Sequence, residues 1–333
     1  MKTKKSIKSI DLFNNIKSPF IIKKIFGCLE ENIPLKLIKY SKKSQKRLNF
    51  TLQNYKEFAL IEIEIIPSKK EEGNFINVID KKNEKYFHIF INGSKKEINQ
   101  KDYQIKNDYK KIKVIIRHSF SSFKNLFKNC ACIESINFKR SYIKSILDMS
   151  SMFEGCSSLK NLYISNLNTN KVINMGYMFF GCSSLKEINL SNFNTNNVAD
   201  MHCMFKKCSS LNRIDLSKFN FNKVTNINCI FEGCSSLKEI NISNLNLQFL
   251  FELRYLFYGC SSLSKIILPN FINNHIDDMT GMFSGCYSLN YINFYNFYFN
   301  EGTKMKSMFY NCPFDIIEKI KNENKNIYDN AFI

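Results

Sequence analysis

The stretch Cys182-Ser-Ser-Leu-Lys-Glu-Ile-Asn-Leu-Ser-Asn-Phe-Asn-Thr-Asn-Asn-Val-Ala-Asp-Met-His-Cys-Met-Phe-Lys-Lys-Cys208 decides the fold, because it begins and ends on the same word. Cys208 opens a second Cys-Ser-Ser-Leu, and the step repeats in both directions. Cys130, Cys156, Cys182, Cys208, Cys234, Cys260, Cys286 and Cys312 stand at an unbroken spacing of 26. Phe127, Phe153, Phe179, Phe205, Phe231, Phe257, Phe283 and Phe309 run in parallel, three places earlier. Self-similarity at a fixed period of this size marks stacked repeats, each unit unable to bury its apolar side chains alone.

The pattern inside one unit gives its shape. In Leu185-Lys-Glu-Ile-Asn-Leu190, Ile188 and Leu190 alternate with polar neighbours, as a strand rung with one buried face requires. Met201, Met204, Phe205 and Cys208 fall at i, i+3, i+4 and i+7, which predicts a short helical or 3₁₀ return. Gly155, Gly181, Gly233, Gly259 and Gly285 precede ladder cysteines, with Asn129, Lys207 and Asn311 in the same column. Gly and Asn tolerate positive φ, so each coil is expected to turn there.

In-register stacking settles what the cysteines are for. Equivalent atoms of neighbouring rungs lie about 4.8 Å apart, so the eight sulfurs form a straight row. A tetrahedral zinc site needs four donors around one point, and a disulfide needs Cβ atoms about 3.8 Å apart. A row suits neither, and the cysteines read as small buried apolar residues. On that reading Cys208→Ser is expected to cost about 1–3 kcal/mol by burying a hydroxyl, and Cys208→Ala less. Cys203 and Cys229, each five places before a ladder cysteine, occupy a semi-exposed column. No metal or other cofactor is expected.

The units Asp148-Met-Ser-Ser-Met-Phe-Glu-Gly-Cys-Ser-Ser-Leu159 and Ile173-Asn-Met-Gly-Tyr-Met-Phe-Phe-Gly-Cys-Ser-Ser-Leu185 resemble the BspA-like leucine-rich repeats of bacterial and protist surface proteins. The resemblance covers residues 121–312. It implies a right-handed leucine-rich-repeat-like solenoid used for protein contact or adhesion, with no catalytic residues.

The flanks differ from the repeats. Residues 1–54 read as a basic helical segment. Ser18-Pro-Phe-Ile-Ile-Lys-Lys-Ile-Phe-Gly-Cys-Leu29 and the apolar stretch after Pro34 are similar to an F-box. That likeness implies docking of a Skp-type adaptor through Pro19, Ile22, Ile25, Phe26 and Leu29, as in ubiquitin-ligase substrate adaptors. Residues 55–120 alternate with period two in Phe58-Ala-Leu-Ile-Glu-Ile-Glu-Ile-Ile66, and Asn92-Gly93 marks a hairpin. This predicts a small β unit over the open end of the first coil. Residues 313–333 predict a capping helix, with Ile316, Ile317 and Ile320 turned inward.

Charge and motifs narrow the function. The 333 residues carry 48 Lys/Arg against 29 Asp/Glu, a net +19. Residues 1–120 hold 27 basic against 13 acidic residues, a net +14, which leaves +5 for the remainder. Lys42-Lys43 and Lys46-Arg47 raise nucleic-acid binding as an alternative, but aromatic interleaving is sparse and a solvated helical surface accounts for them. No phosphate loop, dinucleotide fingerprint, metalloprotease helix or nucleophile elbow is present, so catalysis is not expected. His88, His118, His202 and His275 are scattered, the last two at variable positions that read as solvated surface. The basic start lacks the apolar run of an export signal, and no segment reaches the length of a membrane span. A cytoplasmic location follows, with the cell surface as the alternative from the resemblance.

Protein recognition on the strand face is the leading reading. Specificity needs irregular outward side chains. Along the rungs these are Tyr163, Arg213, Asp215, Ile267, Tyr291 and Tyr295, with the two last as aromatic anchors.

Overall fold

A computed structural model describes residues 61–333 apart from 70–71, 79, 99–102, 142, 144, 247, 271–274, 294–301 and 324–326. Within these residues strands and turns predominate, helix is scarce, and the 26-residue spacing of Cys and Phe recurs as a stack of coils. The arrangement is compatible with a repeat solenoid.

The phenylalanines form the axis of the stack. Rings of consecutive coils lie face to face, from Phe127–Phe153 at 5.6 Å to Phe283–Phe309 at 5.3 Å between centroids. All eight are buried to 1% exposure or less. Such aligned rings bury the largest side chains of each coil and add a ring–ring attraction to it.

Cysteines lie beside them, all eight buried as expected. They are more than apolar filler. From Cys156 onward each thiol donates to the carbonyl of the phenylalanine one coil back, for example Cys208 Sγ to Phe179 O at 3.0 Å and Cys234 Sγ to Phe205 O at 3.1 Å. That carbonyl also accepts the N–H of its own coil's cysteine, as Phe179 O does from Cys182. Burial pushes the thiols up, Cys208 to about 12, so they stay protonated and able to donate. In the middle coils the serine after the cysteine makes a second ladder, Ser183, Ser209, Ser235 and Ser261 each donating to the serine carbonyl 26 residues back at 3.2–3.4 Å. The recurrent Cys-Ser word is therefore a pair of inter-coil hydrogen-bond donors.

The return segment is not helical. Two residues of every return take positive φ. One is the column before the cysteine, with Gly181 at 71° and Lys207 at 60°; the other lies four places earlier, with Tyr177 at 57°, Cys203 at 53° and Cys229 at 59°. Left-handed residues every fourth place break a helix and aim alternate N–H groups along the stack. Met175, Tyr177, Phe179 and Gly181 donate to the carbonyls of Asp200, His202, Met204 and Lys206 at 2.8–2.9 Å. The N–H groups between them close turns within the coil, as Met178 does onto Met175 O and Phe180 onto Tyr177 O. An Asp or Asn starts most returns: Asp148, Asn174, Asp200, Asn226 and Asp278 each accept the N–H two places on. Asx turns of this kind orient the chain into the first turn.

The opposite face carries the rungs. β1 (Ile61–Pro67), β2 (Phe87–Ile91) and β3 (Ile112–Ile116) precede the coils, and β4 (Ile133–Ser141) is the first rung. They join β5 (Asn161–Tyr163) in one sheet of order β2-β3-β1-β4-β5, antiparallel except for the parallel β4–β5 pair. Asn92 and Gly93 both take positive φ and turn the chain after β2. β6 (Glu239–Asn241), β7 (Lys265–Ile267) and β8 (Tyr291–Ile292) form a second, parallel sheet. Between the sheets the expected strand at 187–190 is missing, and on the strand face coils 182–207 and 208–233 are joined by a single Glu187–Arg213 bridge. Asn189 and Asp215 each accept an N–H two places on, which turns the chain after the rung. Asn241 does the same at the end of β6, where the identical Glu-Ile-Asn pairs as a strand, so residue type alone does not account for the interruption.

Both ends are covered. At the first coil, Asn77 N–H bonds Leu126 O at 2.8 Å, and its side-chain amide bonds Asn125 O and Lys128 O. At the last, helix α1 (Phe314–Glu323) buries Ile316 and Ile320, with Ile317 partly buried. The final residues then imitate a further coil. Ser307 and Phe309 donate to Asn330 O and Ala331 O at 2.8 and 2.7 Å, and Phe332 extends the ring stack at 5.7 Å from Phe309.

Candidate functional site

The interruption of the rungs creates two adjoining hollows on the strand face. The first, about 530 Å³, is lined by Tyr163, Glu187, Ile188, Asn189, Arg213, Asp215 and Lys218 among others. The second, about 430 Å³, runs from the same Arg213 and Asp215 to Glu239, Asn241, Lys265 and Ile267. Four of the six outward residues singled out by the sequence thus meet across these hollows, with Arg213 and Asp215 as their shared wall. Tyr163 closes one end with 56% of its surface exposed, and Ile267 lies at the other.

Tyr291 does not line either hollow. It stands on β8 opposite Lys265 and is 43% exposed, with the Lys265 ammonium 5.8 Å from its ring centroid. Tyr295 lies outside the described residues, as do Pro19, Ile22, Ile25, Phe26 and Leu29. The candidate site is centred on the middle coils, its shared wall at Arg213 three rungs before Tyr291.

The electrostatics of the shared wall are fixed locally. The Ser217 N–H, 2.9 Å from Asp215 Oδ1, holds the Asp215 carboxyl below the usual carboxylate range, with the Ser217 hydroxyl and Arg213 adding to it. Asp215 and Arg213 are two places apart on one rung, so a positive and a negative group face outward side by side. Ile188, partly buried, and Ile214 form an apolar floor beneath them. This chemistry accepts an extended chain with polar and small apolar side chains. It offers no nucleophile with a base beside it. Among the described residues no group of three or more His, Cys, Asp or Glu is placed to hold a metal ion, and no helix is long and apolar enough to cross a membrane.

His275 is exposed, as expected, whereas the other three histidines have close partners. His202 Nδ1 is 2.6 Å from Asp200 Oδ1, His88 Nδ1 is 3.0 Å from Glu97, and the His118 ring stacks on Tyr86 at 4.1 Å. The Asp/Asn column that starts the returns escaped the sequence reading, although Asp-Met or Asn-Met at 148, 174, 200 and 278, four places before a Met-Phe, was its signal. No curated protein and no solved structure matches the chain. A family model does match, over residues 121–244 and 228–326, more than half of the chain, and the chain belongs to the family described as Mycoplasma protein of unknown function, DUF285.

Proposed function

We propose that the chain is a non-catalytic protein-recognition module, a right-handed leucine-rich-repeat-like solenoid that binds a protein partner on its strand face. The observation that carries this reading is the pair of hollows sharing Arg213 and Asp215. Irregular side chains gather where the rungs are interrupted, and an extended polypeptide segment is the occupant that such a shallow, mixed polar and apolar trough suits. Tyr163 at one end supplies a large contact area with few rotatable bonds, a common property of contact anchors. Arg213 and Asp215 set the register of a segment carrying opposite charges in alternation.

The test compares the full chain with Arg213→Ala/Asp215→Ala and with Tyr163→Ala as baits for the same cell extract, followed by titration of whichever protein the wild type enriches. With circular dichroism unchanged, the affinity of that partner is expected to fall at least about threefold, or ~0.7 kcal/mol. Unchanged affinity in both variants places recognition elsewhere on the molecule.

A further inference from the structure

Of the cysteines outside the ladder, two stand in neighbouring coils. Cys203 and Cys229 occupy equivalent places in neighbouring coils, in the left-handed column of the return. That column holds Ser151, Tyr177, Tyr255, Gly281 and Ser307 elsewhere, so the backbone conformation belongs to the coil and the adjacent thiols to this place alone. Cys203 N–H bonds Asn228 O at 2.9 Å, which sets the two cysteines on successive steps of the turn ladder. Tyr177, Lys206 and Glu232 stand close enough to the two thiols to bias which of them keeps its proton. Glu232 is held by Lys206 at 2.8 Å. None of the ladder thiols has such a neighbourhood, since each faces a backbone carbonyl in the core.

Access is one-sided. Cys203 is 6% exposed, whereas Cys229 is half-buried and opens on a hollow of about 650 Å³ whose lining includes Lys206, Glu232, Tyr255 and Lys306. Two lysines against one glutamate favour a small anionic molecule there.

We infer that Cys203 and Cys229 form a redox-responsive dithiol, which a low-molecular-weight anionic disulfide entering this hollow converts to an inter-coil disulfide. The neighbouring Cys229 thiol, with Lys206 and Tyr177 adding to it, brings Cys203 down to about 7, so a Cys203 thiolate is populated near neutral pH. The Cys203 thiolate takes the Cys229 proton as Cys229 Sγ attacks one sulfur of the disulfide RSSR. A Cys229–SR bond forms, the S–S bond of RSSR breaks, and RS⁻ leaves, taking the proton from Cys203. The Cys203 thiolate then attacks Cys229 Sγ and expels the second RS⁻, which takes a proton from solvent. Two protein thiols are oxidised and RSSR is reduced to two RSH. Closure draws the Cβ atoms together by roughly 1 Å from ladder spacing. A turn column at the surface absorbs that movement, unlike the core row locked by the ring stack.

The probe is glutathione disulfide added to the reduced full chain at neutral pH, with quenching by acid, alkylation under denaturing conditions and peptide mapping. The expected product is a Cys203–Cys229 link, with the eight ladder thiols alkylated and the circular dichroism retained. Cys203→Ser is expected to trap the mixed disulfide on Cys229, and Cys229→Ser to leave Cys203 unmodified. The inference is overturned if the wild type shows no such link, or links ladder cysteines at the same rate. It is equally overturned if the mixed disulfide on Cys229 persists in the wild type. Peptide mapping of the wild type decides by itself should either variant fail to fold.

Discussion

The two faces of each coil are built on opposite terms. On the turn face, alternate N–H groups donate from every coil to the next with little variation, from Asn125 onto Ser150 O at the start to Gly285 onto Tyr310 O near the end. On the strand face, three-residue rungs hold the ends of the stack together and fail in the middle, where one bridge remains. The coils therefore owe their register to the turn side and the core rows. That frees the strand side to vary, and the hollows with their irregular side chains lie where it has been freed.

The sharpest way to break this comparison is one substitution on each side. Phe205→Ala empties the centre of the ring stack between Phe179 and Phe231, and a buried Phe→Ala change costs about 3–5 kcal/mol. Arg213→Ala, at the hollow, is expected to stay within about 0.5 kcal/mol, as exposed changes do. Denaturant unfolding of the two variants measures both. A loss at Arg213 that rivals the loss at Phe205 shows that the strand face carries the fold after all.

A second, smaller effect probes the left-handed column. Gly181→Ala and Gly285→Ala force an L side chain into positive φ, at about 1–2 kcal/mol each. The Gly285 change is the worse of the two, because its new Cβ would meet Gly259 Cα at 3.3 Å while that of Gly181 meets Gly155 Cα at 3.7 Å. Thermal unfolding of both variants orders them, and an equal shift removes the close coil-to-coil approach as the cause.

The thiol ladder revises an expectation drawn from the sequence. A serine at 208 retains a donor for Phe179 O, whereas an alanine loses it, a difference of about 0.5–1.5 kcal/mol for one hydrogen bond. Phe179 O keeps the N–H of Cys182 in either case, so neither change orphans it. Cys208→Ser is thus expected to be no more damaging than Cys208→Ala, as equilibrium unfolding of the pair will read. The reverse order restores the cysteines to simple apolar filler.

What the sequence discloses follows from what repeats in it. Columns at period 26 announce the stack, the buried rows and the Gly/Asn turn before each cysteine, because identical surroundings demand identical residue types. The second left-handed column was hidden, since Ser151, Tyr177, Cys203, Tyr255 and Gly281 share no chemistry and the conformation comes from the ladder rather than from propensity. A spacing of i, i+3, i+4, i+7 also fits successive four-residue turns as well as one helix, so Met201 to Cys208 suggested the wrong element. On the strand face, Arg213 and Asp215 were legible as irregularities. The hollow was not, because it depends on a rung that fails to form.

The smallest effect lies at a return that carries an extra ion pair. Asp200 accepts His202 N–H at 3.0 Å, as its column partners do, and also meets His202 Nδ1 at 2.6 Å. Gly176 makes room for the ring, since a Cβ there would lie 2.7 Å from it. The hydrogen bond to Asp200 raises the His202 pKa above its ordinary value, outweighing partial burial, and the Asp200 charge adds to it. A histidine raised in the folded state contributes stability that is full below the unfolded value near ~6.5 and fades as pH rises through the folded value. For so exposed a pair the contribution is about 1 kcal/mol or less. Cys203 titrates nearby, so the wild type alone is ambiguous. Asp200→Asn separates the two: an Asn still closes the turn, as Asn174 and Asn226 do, and only the charge is lost. The difference in unfolding midpoint between wild type and Asp200→Asn is expected to be largest near pH 6 and to shrink toward pH 8.5. A difference that stays constant from about pH 6 to 8.5 instead would show that Asp200 acts on the turn alone and that His202 is neutral beside it.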